Sequence, residues 1–200
     1  MAAAIDFYFD FTSPYGYLAA EHIDALAAKY GREVNWNAIL LGFIFKQTGQ
    51  VAPMTIPLKG EYVIHDMQRS ARFLGAPIKF PSEFPKMTIA AARGFYWLKD
   101  QDPALAKKFA QLVYRAYFVD DRDVGNAEVV ADIAKSAGID RDAFVANLQS
   151  DAVKERFKNE SDRAIARKVF GSPFFIVDNE PFWGVDRLEH LDRWLKTGGF

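Results

Sequence analysis

The sequence contains no cysteine among its 200 residues. A disulfide framework, a zinc–thiolate site and thiol redox chemistry carried by the protein's own side chains are therefore excluded. Histidine is also scarce. The three histidines, His22, His65 and His190, show no metal-ligand spacing and no nucleophile partner in a recognisable motif. We expect them to be structural, and we expect no metal and, without a glycine-rich phosphate loop, no nucleotide.

A surplus of one charge is also missing, since 25 basic side chains stand against 26 acidic ones and give a formal net charge of −1. Nucleic acids and anionic membrane surfaces bind proteins with a basic surplus, so we expect neither as a partner. No run of about 18 apolar residues is present to span a bilayer. The N-terminus lacks the basic and apolar regions of a signal peptide. These absences predict a cytoplasmic protein.

Aromatic side chains are abundant, at 15% of the residues with 18 Phe, within a hydrophobic fraction of 50%. This is enough apolar material for one well-buried core. We expect most of the rings in that core, and a surplus beside a site would suit a flat apolar substrate.

The N-terminal forty residues predict a strand, a helix and a second strand. Residues 5–11 are short, aromatic-rich and strand-like. Ser13 and Pro14 then place a favoured N-cap before a favoured first helical residue, and the apolar spacing continues to Gly31, which ends the predicted helix. Residues 34–40 form the second strand. This order favours a parallel pair with a right-handed crossover.

From about residue 60 to residue 170 the pattern is helical. Gly75 ends one predicted helix, and the stretch 75–85, with its three prolines, is predicted to be a loop that borders the site. The last long helix of this block is predicted to end near Gly171. The predicted N-cap residues of the later helices are Asp102, Asn126 and Asp140, and the last long helix is predicted to begin near Ser150.

Strand character returns at residues 174–177, and a turn at 178–181 leads to a second short strand in a hairpin pattern. Asp186 followed by Glu189 is a capping-box arrangement, which predicts the start of a terminal helix. The order is therefore βαβ, a helical block and ββα. Two distant segments of the chain would complete one small sheet.

Blocks in a fixed order along nearly the whole chain resemble a known family. They are Asp6-Phe7-Tyr8-Phe9-Asp10-Phe11 with Ser13-Pro14-Tyr15, Leu40-Leu41-Gly42 through Lys46 to Thr48-Gly49, Ser172-Pro173, and Phe182-Trp183-Gly184 with Asp186-Arg187-Leu188. The set resembles the thioredoxin fold and, within it, the 2-hydroxychromene-2-carboxylate isomerase family and the kappa-class glutathione transferases. The implied fold class is α/β, a thioredoxin-like fold with a large all-helical insertion. The implied domains are a discontinuous thioredoxin-like domain, 1–42 with 171–200, and a helical insertion domain, 43–170.

The resemblance implies that glutathione is the cofactor and that Ser13 is the catalytic residue. Exposed N–H groups at a helix N-terminus favour a thiolate, and the Ser13 hydroxyl would donate a charge-assisted hydrogen bond to the glutathione sulfur. Local sequence alone also explains Ser13 as a plain N-cap. Pro173 is implied to be cis, which would let the Ser172 backbone pair with the cysteinyl portion of glutathione.

Further contacts are implied by the same resemblance. Asp186 would accept a hydrogen bond from the γ-glutamyl ammonium, with a structural N-cap as the alternative. Lys46 would bind a carboxylate of glutathione or substrate, although a lone lysine is usually solvated. Phe84 would lie near the substrate or serve as a core ring. The other implied cofactor contacts are Thr55, Ile56, Trp183, Gly184 and Val185.

The implied activity is a glutathione-dependent isomerisation of 2-hydroxychromene-2-carboxylate, or a similar aromatic-derived 2-oxo acid, to trans-o-hydroxybenzylidenepyruvate in aromatic hydrocarbon catabolism. Glutathione thiolate would add to a conjugated carbon, the new single bond would rotate, and elimination would return the thiol. Two alternatives stay open, a kappa-like transferase that conjugates electrophiles and a non-catalytic thioredoxin-fold binding protein. The resemblance also implies a small-molecule aromatic substrate and a homodimer.

Overall fold

The computed structural model of the chain describes residues 3–200. Its strands are β1 (Ile5–Phe9), β2 (Val34–Ala38), β3 (Phe174–Val177) and β4 (Glu180–Trp183). They form one mixed sheet in the order β2-β1-β3-β4. β1 and β2 are parallel, as predicted, whereas β3 is antiparallel to β1 and β4 is antiparallel to β3.

β1 lies inside the sheet and contributes buried side chains to both of its faces. Phe7 and Phe9 are buried on one face, and Tyr8 is buried on the other. In register, Phe7 pairs with Trp36 of β2 and with Phe175 of β3. The Phe7 ring centroid is 5.0 Å from that of Trp36 and 5.3 Å from that of Phe175. Each such cross-strand pair stabilises the sheet by about 0.2–1 kcal/mol.

The helices lie between the strands as the sequence predicts. N-cap hydrogen bonds to first-turn amides confirm the predicted caps at Asp102, Asn126 and Asp140. The last long helix begins near Ser150, as predicted, and the Ser150 side chain caps it in the same way. Within residues 3–200, none of the helices combines the length and the apolarity needed to cross a membrane. The helices are α1 (Pro14–Ala20), α2 (Ile23–Ala28), α3 (Leu41–Thr48), α4 (Lys59–Leu74), α5 (Ile89–Lys99), α6 (Pro103–Phe118), α7 (Ala127–Ser136), α8 (Arg141–Leu148), α9 (Asp151–Ala166) and α10 (Leu188–Thr197).

The helix predicted to run to Gly31 is two helices, α1 and α2. The His22 N–H donates to the Ala19 carbonyl at 3.1 Å. This bond reaches back three residues instead of four, so α1 closes with a tighter turn before α2 begins. The predicted single helix is therefore wrong.

Three other predicted limits are wrong, namely the end of the last long helix and the ends of the two N-terminal strands. α9 ends well before Gly171, because Lys168 adopts a φ of 61°, a left-handed conformation that does not continue a helix. The two N-terminal strands are each two residues shorter than predicted. The Asp10 carboxylate accepts a hydrogen bond from the Leu41 N–H, which fixes both chain segments in turns at that point.

The predicted hairpin is confirmed, but the predicted turn over 178–181 is too long. The turn consists of Asp178 and Asn179, because Glu180 and Pro181 pair with β3 as part of β4. The φ values of Asp178 and Asn179 are 51° and 71°, and positive φ at both central positions is the turn geometry whose twist matches the flanking strands. Pro181 lies in β4, the edge strand, where a missing N–H is tolerated. The hairpin carries Trp183 to the end of the sheet.

The sheet and the helical insertion share one hydrophobic core. The Phe9 ring centroid is 5.2 Å from that of Phe95 in α5 and 5.8 Å from that of Tyr114 in α6. All three side chains are fully buried, and burial of one such ring contributes about 1.5–3 kcal/mol. The α/β class with an all-helical insertion is confirmed. The domain limits at 42/43 and 170/171 stay a prediction.

Candidate active site

Ser13 lies directly after the turn that ends β1, and it is the N-cap of α1. Its Oγ accepts a hydrogen bond from the Gly16 N–H at 3.0 Å and donates one to the Ser172 carbonyl at 2.9 Å. Only 4% of the residue is exposed. Ser13 is therefore an N-cap, as its local sequence predicts, and it also contacts a residue 159 positions away.

The first turn of α1 leaves one backbone amide free. Pro14 has no N–H, the Gly16 N–H is bonded to the Ser13 side chain, and the Tyr17 N–H donates to the Ser13 carbonyl at 2.9 Å. Among the described residues, no group accepts a hydrogen bond from the Tyr15 N–H. An anion that accepts a hydrogen bond from the Ser13 hydroxyl could therefore also accept one from the Tyr15 N–H.

The peptide bond between Ser172 and Pro173 is cis, as the resemblance implies. The Ser172 Oγ accepts a hydrogen bond from the Asp10 N–H at 2.9 Å, which ties this loop to the end of β1. Within residues 3–200, the Ser172 N–H has no hydrogen-bond partner. In the described part of the chain, the backbone of Ser172 thus presents a free donor next to a carbonyl that is bonded only to Ser13.

Gly16 permits the close approach of α1 to this loop. A Cβ at position 16 would lie 2.8 Å from the Ser172 Oγ and 2.8 Å from the Tyr114 Oη. Both distances are well inside van der Waals contact. The absence of a side chain at Gly16 is therefore a packing requirement of the site.

A buried carboxyl group, Asp10, underlies Ser13. Its side chain accepts hydrogen bonds from the backbone N–H and the hydroxyl of Thr12, both at 2.6 Å, and from the Leu41 N–H. Burial raises the pKa of Asp10, and these donors oppose the shift. Its carbonyl accepts hydrogen bonds from the Ser13 N–H and the Tyr114 Oη, each at 2.9 Å. Asp10 therefore fixes the backbone on which Ser13 stands.

The end of the hairpin forms a second wall of the site. The Gly184 N–H donates to the Pro173 carbonyl at 3.0 Å, and a short 3-10 turn, Val185–Arg187, packs against α1. The Trp183 ring lies beside Gly171, where it would contact any added Cβ, and 55% of Trp183 is exposed. Trp183 is therefore not a buried core ring, and its exposed face is open to a ligand.

The capping-box prediction for Asp186 is wrong. α10 begins at Leu188 with Arg187 as its N-cap, and no side chain among residues 3–200 caps it. The Asp186 side chain is 69% exposed and lies 3.5 Å from the Arg187 guanidinium. Because the preceding 3-10 turn moves the N-cap of α10 by one residue, from position 186 to position 187, the Asp186 carboxylate is left available to a ligand.

The structure brings together Ser13, Ser172, Trp183, Gly184, Val185 and Asp186, and it places the other predicted contacts on separate elements. Lys46 is exposed in the last turn of α3. The Thr55 hydroxyl donates to the Ala52 carbonyl at 2.8 Å, inside a 3-10 turn that packs on the start of α4. The Ile56 N–H donates to the Pro53 carbonyl at 3.3 Å. The glutathione contacts of Lys46, Thr55 and Ile56 stay predictions.

α4 is tied to the first turn of α1 through Tyr15. The Tyr15 Oη donates to the Asp66 carboxylate at 2.7 Å, and Asp66 is also paired with Arg69. Burial and the Asp66 carboxylate raise the pKa of Tyr15, so its phenol remains a donor. Among residues 3–200, no group of three or more acidic, cysteine or histidine side chains is placed to hold a metal ion.

Phe84 lies in the loop between α4 and α5 and is half-buried. Its ring stacks on Tyr117 of α6 at a centroid distance of 6.3 Å and an interplanar angle of 9°. It also contacts Phe80 at 5.2 Å. Phe84 is therefore packed against the core on one side and open on the other.

The sequence and the structure of the chain are both similar to those of known proteins. Residues 4–196 match the DSBA-like thioredoxin domain family. The chain is 34% identical over 190 residues to 2-hydroxychromene-2-carboxylate isomerase of Pseudomonas putida, a match that covers 94% of this chain and 92% of that protein. A solved structure of 2-hydroxychromene-2-carboxylate isomerase is 33% identical, with a TM-score of 0.87 over 96% of this chain and 94% of that chain. The chain belongs to the 2-hydroxychromene-2-carboxylate isomerase family.

A more distant relative of this isomerase family member is glutathione S-transferase kappa 1 of Caenorhabditis elegans, 24% identical over 200 residues that cover 94% of this chain and 88% of that protein. The predicted thioredoxin fold and the predicted resemblance to both groups are confirmed. The sequence did not predict a role in the site for three of its residues, Asp10, Gly16 and Tyr114. The residues Asp10-Phe11-Thr12 could have predicted an Asx turn, whereas no local sequence pattern predicts the roles of Gly16 and Tyr114.

Proposed function

We propose that this isomerase uses glutathione to convert 2-hydroxychromene-2-carboxylate, or a similar aromatic-derived 2-oxo acid, to trans-o-hydroxybenzylidenepyruvate. The observation that carries the proposal is the buried Ser13 hydroxyl at the first turn of α1, facing the Ser172 carbonyl, in a chain without cysteine. Relatives named for this isomerisation and for glutathione transfer support it.

The site contains two donors for a thiolate. A free thiol has a pKa of about 8.5, so only a few per cent is ionised at neutral pH. The free Tyr15 N–H and the Ser13 hydroxyl would each donate a charge-assisted hydrogen bond to the sulfur, which favours its ionised form. The effect of a helix N-terminus is confined to its first turn, so the short α1 is sufficient.

Binding requires the Ser13 hydroxyl to exchange its partner. In the structure its hydrogen is bonded to the Ser172 carbonyl. The cysteinyl N–H of an extended glutathione would replace it on that carbonyl, and the Ser172 N–H would donate to the cysteinyl carbonyl. The Ser13 hydrogen is then free to bond to the sulfur. Every donor keeps an acceptor, so the exchange leaves no buried polar group unpaired.

The two ends of glutathione would bind on either side of this point. The exposed Asp186 carboxylate faces solvent at the end of the hairpin and suits the γ-glutamyl ammonium, and Trp183 flanks it. Lys46 supplies a cation for a carboxylate of glutathione or substrate. Thr55 and Ile56 supply backbone contacts from the turn before α4.

The reaction is a reversible addition and elimination. The cyclic hemiketal first opens: its ring C2–O bond breaks, the 2-hydroxyl proton passes to the released phenol oxygen, and the cis 2-oxo acid forms. The thiolate then forms a C–S bond to the conjugated carbon, and the electron pair of the C=C bond moves onto the 2-oxo group. Rotation about the resulting single bond follows. The electron pair then returns, the C–S bond breaks and the trans double bond forms. The protein supplies the ionised thiol, the orientation of the acceptor and a cation for the substrate carboxylate.

The test is an assay of purified protein with 2-hydroxychromene-2-carboxylate, with and without glutathione, followed by mass analysis of the product. We expect conversion only with glutathione and a product of unchanged mass. Equal rates with and without glutathione, or no conversion at any glutathione concentration, would remove the proposal. A product carrying glutathione would establish the transferase, and calorimetric binding without turnover would establish the binding protein.

We also propose a homodimer. Within α4, Tyr62 and Phe73 lie eleven residues apart, close to three helical turns, and so share one face, on which Phe73 is 79% exposed. Leu58, the N-cap of α4, is 89% exposed. Large exposed apolar side chains in one row favour coverage by a partner. Light scattering would measure a mass twice that of the chain, and a single-chain mass would contradict the proposal. The cytoplasmic location stays a prediction from the sequence.

A further inference from the structure

The loop of residues 75–88 carries Phe84 and has no helix or strand of its own. It is nevertheless tied to its neighbours by side chains from other elements. The Tyr17 Oη donates to the Pro77 carbonyl at 2.7 Å, and the Tyr117 Oη donates to the Glu83 carbonyl at 2.9 Å. The Asp121 carboxylate accepts a hydrogen bond from the Ser82 N–H at 2.7 Å. The loop is therefore fixed near its start, at Pro77, and at its centre, at Ser82 and Glu83.

Tyr117 acts on Phe84 in two ways. Its ring stacks nearly parallel to the Phe84 ring, and its hydroxyl is bonded to the carbonyl of the preceding residue, Glu83. Tyr117 itself is buried in the core. Burial raises the pKa of Tyr117, while a hydrogen bond from the Lys86 backbone amide opposes the shift. The phenol therefore remains protonated and able to donate.

The same face of α6 also supports the Ser13 side of the site. Tyr114 precedes Tyr117 by three residues, and side chains at that spacing are neighbours on a helix, with about 5–6 Å between their Cβ atoms. The Tyr114 Oη donates to the Asp10 carbonyl, which also accepts the Ser13 N–H. One turn of α6 therefore contacts both the backbone beneath Ser13 and the residues around Phe84.

We infer that Tyr117 is a positioning residue for the proposed isomerisation. Through its stacked ring and its bond to Glu83 it holds the Phe84 ring as the wall against which the flat aromatic part of the substrate binds. Glutathione occupies the side of Ser13. The inference rests on the proposed function for the identity of the substrate, and on the structure alone for the coupling of Tyr117 to Phe84.

The first experiment measures that coupling without catalysis. Tyr117→Phe removes the hydroxyl and keeps the ring, and amide hydrogen exchange is followed by mass spectrometry in the segment 82–86. We expect exchange there to become about threefold to tenfold faster, as for the loss of one hydrogen bond. The control is Tyr96→Phe, because the buried Tyr96 hydroxyl donates to the Ala38 carbonyl at 2.9 Å, away from this loop. Unchanged exchange in segment 82–86 would overturn the inference whatever the activity.

The second experiment separates KM from kcat. Phe84 would contact the substrate ring in the ground state and in the transition state alike, so its displacement changes binding rather than turnover. We expect Tyr117→Phe to raise KM for the aromatic substrate about threefold to tenfold, with kcat and the KM for glutathione nearly unchanged. Tyr96→Phe should leave both constants as they are. A loss confined to kcat would overturn the inference.

A double variant tests whether Tyr117 acts through Phe84. The double variant with Tyr117→Phe and Phe84→Leu should have a KM only slightly above that of Phe84→Leu alone. The effects of two substitutions that act through one contact are not additive. Full additivity would contradict the inference. If the unmodified protein does not convert the substrate at all, the proposed function fails, and the exchange experiment still decides whether Tyr117 holds Phe84.

Discussion

The Ser13 hydroxyl has two partners in the structure, and Ser13→Ala removes both bonds at once. We expect kcat/KM to fall about tenfold to hundredfold, since one charge-assisted donor to the sulfur is lost. The lost N-cap should lower the free energy of unfolding by about 1 kcal/mol. Steady-state kinetics and urea unfolding measure the two effects separately.

Ser150→Ala is the matched control for that substitution. The Ser150 side chain caps α9 by accepting a hydrogen bond from the Val153 N–H, so the same change removes a cap far along the chain from the site. Its stability should fall by a similar amount while its activity stays at the level of the unmodified protein. If both variants lose activity in parallel, the rate effect of Ser13→Ala comes from unfolding and not from the thiol.

Lys99 makes the stability of the protein depend on pH. Its Nζ donates to the Trp36 carbonyl at 2.6 Å and to the Asn37 Oδ1 at 3.0 Å, and burial lowers the pKa of Lys99 from 10.5 to about 8. Between these values the unfolded chain holds a proton that the folded chain lacks, so the free energy of unfolding rises with pH through this window. Through Lys99, the free energy of unfolding of the unmodified protein should rise by on the order of 2 kcal/mol between about pH 8 and pH 10. Lys99→Met should lack this rise.

Urea unfolding at several pH values measures that difference. The control is Lys108→Met, since the exposed Lys108 also donates to a backbone carbonyl, that of Ala137. Its curve should run parallel to that of the unmodified protein. A parallel curve for Lys99→Met as well would show that this amine has its ordinary pKa in the folded protein.

At the level of the elements, the approach of α1 to the Ser172 loop depends on one glycine. Gly16→Ala would place a Cβ 2.8 Å from two oxygen atoms, those of Ser172 and Tyr114. We expect a loss of about 1–3 kcal/mol in the free energy of unfolding, as for overpacking, together with weaker glutathione binding by calorimetry. Gly42→Ala is the control, because Gly42 lies in α3 with open space around it. That variant should be neutral or more stable by about 1 kcal/mol, and equal losses in the two variants would refute the packing argument.

The start of a helix could be predicted from the sequence where a neighbouring side chain caps it. The caps at Asp102 and Asp140 follow from side chains that bond to amides two or three residues away, so the sequence alone marks those helix starts. The start of α10 does not follow from Asp186 and Glu189, because a 3-10 turn packed against α1 occupies that position. A tertiary contact there overrides a local capping signal.

At the level of the whole molecule, the site is assembled from segments far apart in the chain. The sequence identified Ser13 and Ser172 through an ordered resemblance, and the fold joins them across 159 positions. It did not identify Tyr114, whose hydroxyl reaches Asp10 across 104 positions. No local pattern encodes such a contact, because it depends on how α6 packs on the sheet. The abundant aromatic side chains that predicted a core therefore also include those that hold the backbone of the site.

The most direct test of the account is a spectroscopic titration of the glutathione thiol bound to the protein. S-methylglutathione, which lacks the thiol, serves as the reference that removes the signals of the protein's own tyrosines. We expect the bound thiol to ionise at least about one pH unit below its value of about 8.5 in buffer, and we expect Ser13→Ala to reduce that shift. A bound thiol that titrates as it does in buffer, or the absence of glutathione binding, would contradict the account.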